Sequence, residues 1–587
     1  MKPFYKLLFI ALLISLVETL ANGQVSVANI QEFSKEKVYV HLDRTIIVAG
    51  ETLQYKVYTS NSGSKILYFM LLSRGNSPAL QWRINLQQGS TTGKYQIPAD
   101  TEPGYYELCA YTNRMRSGSF DYIYRQPVLI ESLIKNLADT LYVPATPVAQ
   151  YKQPAGRNLP ETGQDAPAIA VRIAKTIYKP GETVEIDVSA LNLKPDETAD
   201  LSLSAKEQAP IKGILRERTI AEQFLLFSEQ GGLSKPEAST TNESAPCKTP
   251  LENKGYMLVG HVSDATDNSV SSQGITLSVA DSNSTQILFA RSDNTGRFTF
   301  YLDRFYDNKE LIFQVADQKV VNPKKWVIES KIMERPKTGI DKYLLRDEES
   351  AWLKEKKDFS LIEAIYRTPA SSPPPDLQLL ILNQFNPPDN LVYPADYAEL
   401  VNFREIAENI LPTVRYTMRN KAYTVQVYIP SSDTWYENDM ILLNGVPFAD
   451  LTYLSTLGTK DIAKIEVITR SFLLGDITFP GILSVYTHDG KIPPNYLKNH
   501  CYTWKNEVSQ SNHDAGYPNA TTSNSSAAHI PDFRSVLDWS PGIKIHGNSK
   551  QTVKFTASQM TGLYNIVVCG LSSGGYPLHS SVTFEVK

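Results

Sequence analysis

Apolar residues recur at every second position in short runs along this chain, and turn-forming residues separate the runs. Val38, Val40 and Leu42 alternate with Tyr39 and His41, and Leu53, Tyr55 and Val57 alternate with Gln54, Lys56 and Tyr58. Successive side chains of a strand point to opposite faces, so this pattern suits a sheet and not a helix. The run 66–72 is continuously apolar, and a Pro103-Gly104 turn feeds another at 105–111. Alternation returns at Val184, Ile186 and Val188, at Leu201 and Leu203, and at 275–279. Short strands at this spacing predict β-sandwiches. A chain of 587 residues is too long for one core, and roughly 150 residues per domain predicts about four domains. The expected fold class is therefore mostly β: a multidomain string of β-sandwiches with one α+β domain.

Composition narrows the function classes. A net charge of −4 over this length leaves no basic footprint for nucleic acid and no polybasic membrane patch. Residues 1–23 read as a signal peptide. Lys2 and Lys6 precede an apolar stretch at 7–17, and Ala21-Asn22-Gly23 offers a cleavage point before Gln24. That stretch is shorter than the roughly 20 residues a membrane span needs, and no second long apolar run follows. The expectation is an exported chain, soluble or peripheral to the membrane, in the periplasm or at the outer membrane. Cys109 and Cys569 lie inside apolar runs and are expected as buried free thiols. Cys247 sits in a polar stretch, where a bridge to Cys501 stays open.

Four segments of linker composition divide the chain: 145–167, 228–250, 368–375 and 506–529. The expected domains are sandwiches at 34–132, 168–228, 255–329 and 530–587, with a mixed α and β domain at 344–490. Ile177-Tyr178-Lys179-Pro180-Gly181-Glu182-Thr183 restates the turn at Ala49-Gly50-Glu51-Thr52, so the first two blocks read as a divergent repeat. Pro then Gly fits a type II turn, with the glycine at positive φ. In 344–490, Ser360 and Glu363 suggest a capping box and a helix to about 367, and 396–410 suggests a second helix. The run 440–448 contains Asn444-Gly445-Val446-Pro447, a hairpin signal.

These motifs also carry a resemblance. Segments 36–44, 50–52 and 110–116 resemble the second macroglobulin-type domain of Bacteroidetes envelope proteins, with Ala49 standing where that family usually has proline. Asp293-Asn294-Thr295-Gly296-Arg297-Phe298 resembles the carboxypeptidase regulatory-like domain, in which glycine takes the turn and phenylalanine fills the core. The strands at 461–468 and 481–487 resemble the plug domain of TonB-dependent receptors, although 469–479 departs from that family's pattern. The resemblance implies a non-enzymatic envelope protein with protein partners in the outer membrane or periplasm.

No motif in the sequence supports catalysis. The eight histidines show no zinc-binding spacing, and neither a Gly-x-Ser-x-Gly elbow nor a phosphate-binding Gly-x-x-x-x-Gly-Lys occurs. The Cys-Gly-Glu-Gln thioester of macroglobulin traps is absent. The residues after Lys491 are too few for a barrel of strands of roughly 10 residues each. The expectation is no enzyme, no cofactor, no metal and no small-molecule substrate. The chain is read as an adaptor docking to an outer-membrane transport or barrel complex, with Asn444, Gly445, Val446 and Pro447 as the interface. The alternative is a polysaccharide- or peptide-binding module using Trp435, Trp504 and Trp539. A protease-trap relative comes after both.

Overall fold

The computed structural model describes the chain from residue 36 onward, apart from 146–165, 230–248, 367–384, 511–531 and shorter loop stretches. The expected signal peptide, Cys247 and most of the four linkers lie outside the described residues. The chain is mostly β and divides into two compact units, each gathered from separate pieces of sequence. One comprises the residues before 254, 332–368 and those from 510 on; the other comprises 254–331 and 369–509.

In the first unit, Lys37–Leu42 pairs antiparallel with Thr52–Ser60, which pairs with Ser90–Gln96. An opposing sheet runs in the order Ile46–Val48, Tyr124–Glu131, Gly104–Thr112, Ile66–Leu72, Pro78–Asn85. Tyr55 and Phe69 pack with ring centroids 4.8 Å apart, and the Trp82 indole N–H donates to the Tyr55 hydroxyl at 3.1 Å. Gly50 has φ +98° and Gly181 φ +77°. In each turn the following glutamate N–H bonds back three residues, Glu51 to Val48 at 2.9 Å and Glu182 to Lys179 at 3.0 Å. The turn repeated in sequence thus forms twice, and its positive φ is what calls for glycine.

The second sandwich corrects the expected boundaries. Thr183–Leu191 pairs with Lys550–Thr556, and Thr198–Glu207 lies between Val536–His546 and Gly562–Ser572. Ile177–Tyr178 adds parallel to Pro577–Val586. The blocks 168–228 and 530–587 are therefore one sandwich and not two. The physical reason is completeness of the core: strands on both sides of the long insertion share one buried cluster, in which Val184, Leu201 and Leu203 pack with Ile543, Tyr564 and Phe584.

The insertion is anchored at both ends. Where the chain leaves the first unit, Glu252 is fully buried and accepts the Tyr68 hydroxyl at 2.9 Å. The Asn113 side chain donates to the Pro250 carbonyl at 2.9 Å. Where it returns, Met333 N–H donates to the Tyr111 hydroxyl at 3.2 Å, and Arg335 pairs with buried Glu107 at 3.2 Å. Ile340–Leu344 then pairs with Thr140–Pro144 and leads into the Asp347–Tyr366 helix. Leu353 of that helix joins Leu141, Val143, Ile211 and Leu215 in one cluster. The helix begins thirteen residues before Ser360, so the expected capping box lies inside it. It also belongs with the sandwiches, not with the 344–490 block.

In the second unit, Tyr256–Ser263, Arg297–Leu302 and Lys325–Ile328 form one sheet. A facing sheet runs Ile287–Arg291, Gly274–Val279, Glu310–Val315, Tyr502–Lys505. The Asp293–Gly296 turn closes with a 3.0 Å bond, Gly296 has φ +77°, and Phe298 is buried. The last strand of the facing sheet comes from beyond the α+β region, so 255–329 does not close by itself. The α+β region has a mixed sheet in the order Asn390–Val392, Ile462–Ile468, Ile482–Thr487, Met440–Leu443, Val446–Pro447. Ile312 shares its core with Phe403, Leu443 and Val485, and Gln314 donates to the Pro447 carbonyl at 3.1 Å. The expected helix 396–410 is the shorter Phe403–Ile410, capped by Asn402, whose side chain accepts Glu405 N–H at 3.0 Å. No helix among the described residues is long and apolar enough to cross a membrane.

Candidate functional site

The residues expected as an interface form a buried turn. Asn444 has φ +48° and Gly445 φ +79°, the two-residue hairpin geometry that Asn-Gly favours. Asn444 and Val446 are fully buried. The Asn444 amide donates to Thr487 Oγ1 at 2.8 Å and to the Lys491 carbonyl at 2.7 Å, and its oxygen accepts Thr487 N–H at 2.8 Å. These side chains hold the sheet to the next segment, so the interface expected at Asn444–Pro447 falls on a buried turn. Asn444→Gly keeps the positive φ but orphans those groups. It is expected to lower the stability of this unit by about 1–2 kcal/mol, read as a lowered urea midpoint with an unchanged slope.

The three tryptophans differ. Trp539 is buried. Trp504 is half-buried in a paired strand opposite Leu311. Trp435 is half-buried with the Arg415 guanidinium over its ring at 3.8 Å and Tyr428 at 5.2 Å. Trp435 and Trp504 are both partly open, and Trp435 adds a guanidinium over its ring, the amphipathic setting of a ligand platform.

Inside the first unit the two sandwiches meet through a polar seam. Tyr39, His41, Lys56 and Tyr58 all point away from the aliphatic face of their own sandwich, yet all are buried. His41 Nδ1 lies 2.6 Å from Ser202 Oγ and Nε2 lies 3.2 Å from Ser204 Oγ. Lys56 donates to Asp200 at 2.6 Å and to the Pro541 carbonyl at 2.7 Å. The Tyr58 hydroxyl donates to the Cys569 carbonyl at 3.0 Å and lies 2.8 Å from the Ser202 hydroxyl. A histidine beside a serine and a cysteine has the parts of a nucleophile and its base. Here every member is sealed: His41 is 1% exposed and Ser202 and Cys569 are 0% exposed. Burial pushes the Cys569 thiol up to about 12 and holds His41 well below its ordinary value. A neutral thiol and an inaccessible base make this an adhesive contact and not a reaction centre. Both Cys109 and Cys569 are buried free thiols.

Beside this seam lies a cavity of about 490 Å³. Its walls come from the first sandwich (Arg44, Glu51), the loop after the Thr198–Glu207 strand (Arg216, Arg218) and the Asp347–Tyr366 helix (Trp352, Lys356, Phe359), with Phe533, Arg534 and His579 completing it. Trp352, Lys356 and Phe359 fall one helical turn apart and so share a face. Lys206 pairs with Glu217 at 2.6 Å, and Lys356 pairs with Glu207. Trp352 donates its indole N–H to Glu207 at 3.1 Å. Phe359 and Phe533 stack with centroids 4.4 Å apart. Burial raises the Glu207 carboxyl and lowers His579. Asp43, behind Arg44, is pushed up to about 6 by burial despite the guanidinium. No sequence motif pointed here, because the lining comes from distant segments. The only local signal was Trp352, Lys356 and Phe359 at helical spacing.

No family model matches the chain, and no curated protein matches it. Among solved structures it is similar to a Salmonella alpha-2-macroglobulin reacted with methylamine, at 8% identity and TM-score 0.14, over 94% of this chain and 23% of that one. It is similar to trypsin-activated alpha-2-macroglobulin from Escherichia coli at 8% identity and TM-score 0.22, over 94% of this chain and 42% of that one. The adhesin InvE of Yersinia pseudotuberculosis matches at 10% identity and TM-score 0.12, over 50% of this chain and 59% of the other. The chain thus spans well under half of those macroglobulin chains. At such scores the likeness carries no argument about what this chain does.

Proposed function

We propose that the chain is a non-enzymatic interaction protein of the cell envelope, an adaptor built on macroglobulin-like sandwiches, with protein partners in the outer membrane or periplasm. The observation that carries this reading is the nested build. Both chain crossings near 253 and 332 are held in the first unit by buried contacts from Glu252, Asn113, Tyr111 and Glu107. The charged side chains of the seam and of the cavity wall are taken up by each other, as in a structural network.

Crosslinking of the full chain in native envelopes, followed by mass spectrometry, tests the reading. Reproducible crosslinks to one or a few envelope proteins are expected, with crosslinked lysines concentrated in one surface region. Crosslinks scattered over abundant proteins in proportion to their abundance would remove it. The second reading is peptide or polysaccharide binding at Trp435, favoured by the open Arg415–Trp435–Tyr428 cluster. Retention on a glycan array that Trp435→Ala abolishes would select it.

A further inference from the structure

The ribbon of Ile340–Leu344 and Thr140–Pro144 has one edge that its own geometry leaves open. Ala145 N–H bonds to the Gly339 carbonyl at 2.8 Å and Leu345 N–H to the Asp139 carbonyl at 2.8 Å, which fixes the phase of the ladder. Bonded and non-bonded pairs alternate along antiparallel strands. Asp341 and Tyr343 therefore bond to Val143 and Leu141. The N–H and C=O groups of Ile340, Lys342 and Leu344 point the other way, away from Thr140–Pro144. No further strand among the described residues pairs with that edge. The side chains of the same three residues share the outer face, while Tyr343 packs inward with Leu141 and Val143. Ile340 is 48% and Leu344 69% exposed, and Lys342 between them is exposed and makes no ion pair among the described residues. The opposite edge of the ribbon is blunted by Pro144, which has no N–H to offer. The Tyr343 hydroxyl donates to Glu349 of the following helix at 2.9 Å, so the open strand is fixed in place at its C-terminal end.

We propose that this edge takes up an extended segment of a partner protein as a third strand. The segment carries an acidic residue opposite Lys342 and apolar residues two positions to either side, facing Ile340 and Leu344. Main-chain bonds give such an addition its affinity, and the side chains at alternate positions give it selectivity. The charge of Lys342 decides against a second copy of this chain. In full antiparallel overlap Ile340 would meet Leu344 and Lys342 would meet Lys342, and like charges directly opposite destabilise a pair. An acidic residue makes the same position favourable. The inference rests on the adaptor reading and gives the chemistry of its partner.

Fluorescence anisotropy of the labelled, end-blocked peptide Thr-Val-Thr-Glu-Thr-Val-Thr, titrated with the full chain, tests it. Saturable binding with a Kd below about 1 mM is expected. The peptide with lysine in place of glutamate is expected to bind about fivefold more weakly. Lys342→Glu, at an exposed position without an ion pair, is expected to reverse that preference. Ile340→Pro removes an outward N–H and no bond of the existing ladder, and is expected to weaken both peptides. No saturable binding up to about 5 mM overturns the proposal. So does equal affinity for the two peptides, a preference that Lys342→Glu leaves unchanged, or full binding by Ile340→Pro. A dimer in sedimentation velocity that Ile340→Pro dissociates would give the edge to a second copy and overturn it too. The peptides act without an envelope, so their failure leaves the crosslinks expected of the adaptor standing.

Discussion

Removing residues 532–587 is expected to unfold the second sandwich instead of trimming a terminal domain. Those residues supply eleven of the twenty-two buried residues in its core, among them Leu537, Ile543, Phe555, Tyr564, Ile566 and Phe584. They also supply both neighbours of the Thr198–Glu207 strand. Fully burying one large apolar side chain is worth about 1.5–3 kcal/mol, so the loss is on the order of 20 kcal/mol. That exceeds the 5–15 kcal/mol by which a whole domain is typically stable (roughly). The unpaired edges of Thr183–Leu191 and Thr198–Glu207 would then be open to aggregation. The check is near-UV circular dichroism and solubility of a chain ending at residue 531, compared with the same chain co-expressed with a 532–587 fragment. Recovery of the native spectrum only with the fragment is the expected result. A truncated chain that stays soluble with one cooperative transition and the native spectrum would show that the two segments fold separately after all.

The same pairing marks the limit of what the sequence could disclose. Period two at 38–42, 53–58, 184–188 and 275–279 named strands correctly, and the Pro180-Gly181 and Asn444-Gly445 turns took the predicted backbone, whereas Gly104 is already extended at the head of its strand. Both are local signals, fixed by side-chain alternation and by φ. Which strand pairs with which is not local. Nothing in Thr183–Leu191 records that its neighbour begins at Lys550, so compositional linkers were taken as domain boundaries. The helix at Asp347 was missed at its start because Ser360 and Glu363 imitate a cap. The acidic first turn, Asp347, Glu348 and Glu349, was the better sign. The buried fate of Asn444 and Trp539 was invisible for a related reason. A polar or aromatic residue on the outer face of a strand reads as exposed until a second sheet covers it, as happens to His41, Lys56 and Tyr58. The cavity was illegible because its lining is assembled from segments far apart in sequence.

That covered face makes a pH test possible. His41 packs against Ser202, Ser204 and the Trp539 ring, whose centroid is 5.1 Å away. The charged groups that act on it are cationic or neutral: Lys206, Lys56 and His579. Asp200 faces the seam but is bonded to Lys56. Burial first, and these cations second, hold His41 well below its ordinary value. The unfolded chain therefore takes up a proton as pH falls through about 6.5 while the folded seam does not, and stability is lost in that direction. With about 1.4 kcal/mol per pH unit, the loss reaches up to about 3 kcal/mol by pH 4.5. Asp43 opposes it. Its carboxyl is raised to about 6, so the folded state takes up that proton first and gains stability as pH falls below 6. Glu207 is raised as well and His579 lowered, so the wild-type curve alone is a sum of opposing trends and decides nothing. His41→Gln removes one trend and keeps an amide able to bond Ser202 and Ser204. Urea unfolding of both proteins from pH 7.5 to 4.5 is expected to show the stability of wild type relative to the variant falling steadily below pH 6.5. In parallel, labelling of Cys569, sealed in the seam, should rise in wild type at low pH, while Cys109, buried in the first sandwich, stays protected. A difference between the two proteins that does not change with pH would mean that the seam holds as firmly around a charged His41 as around a neutral one.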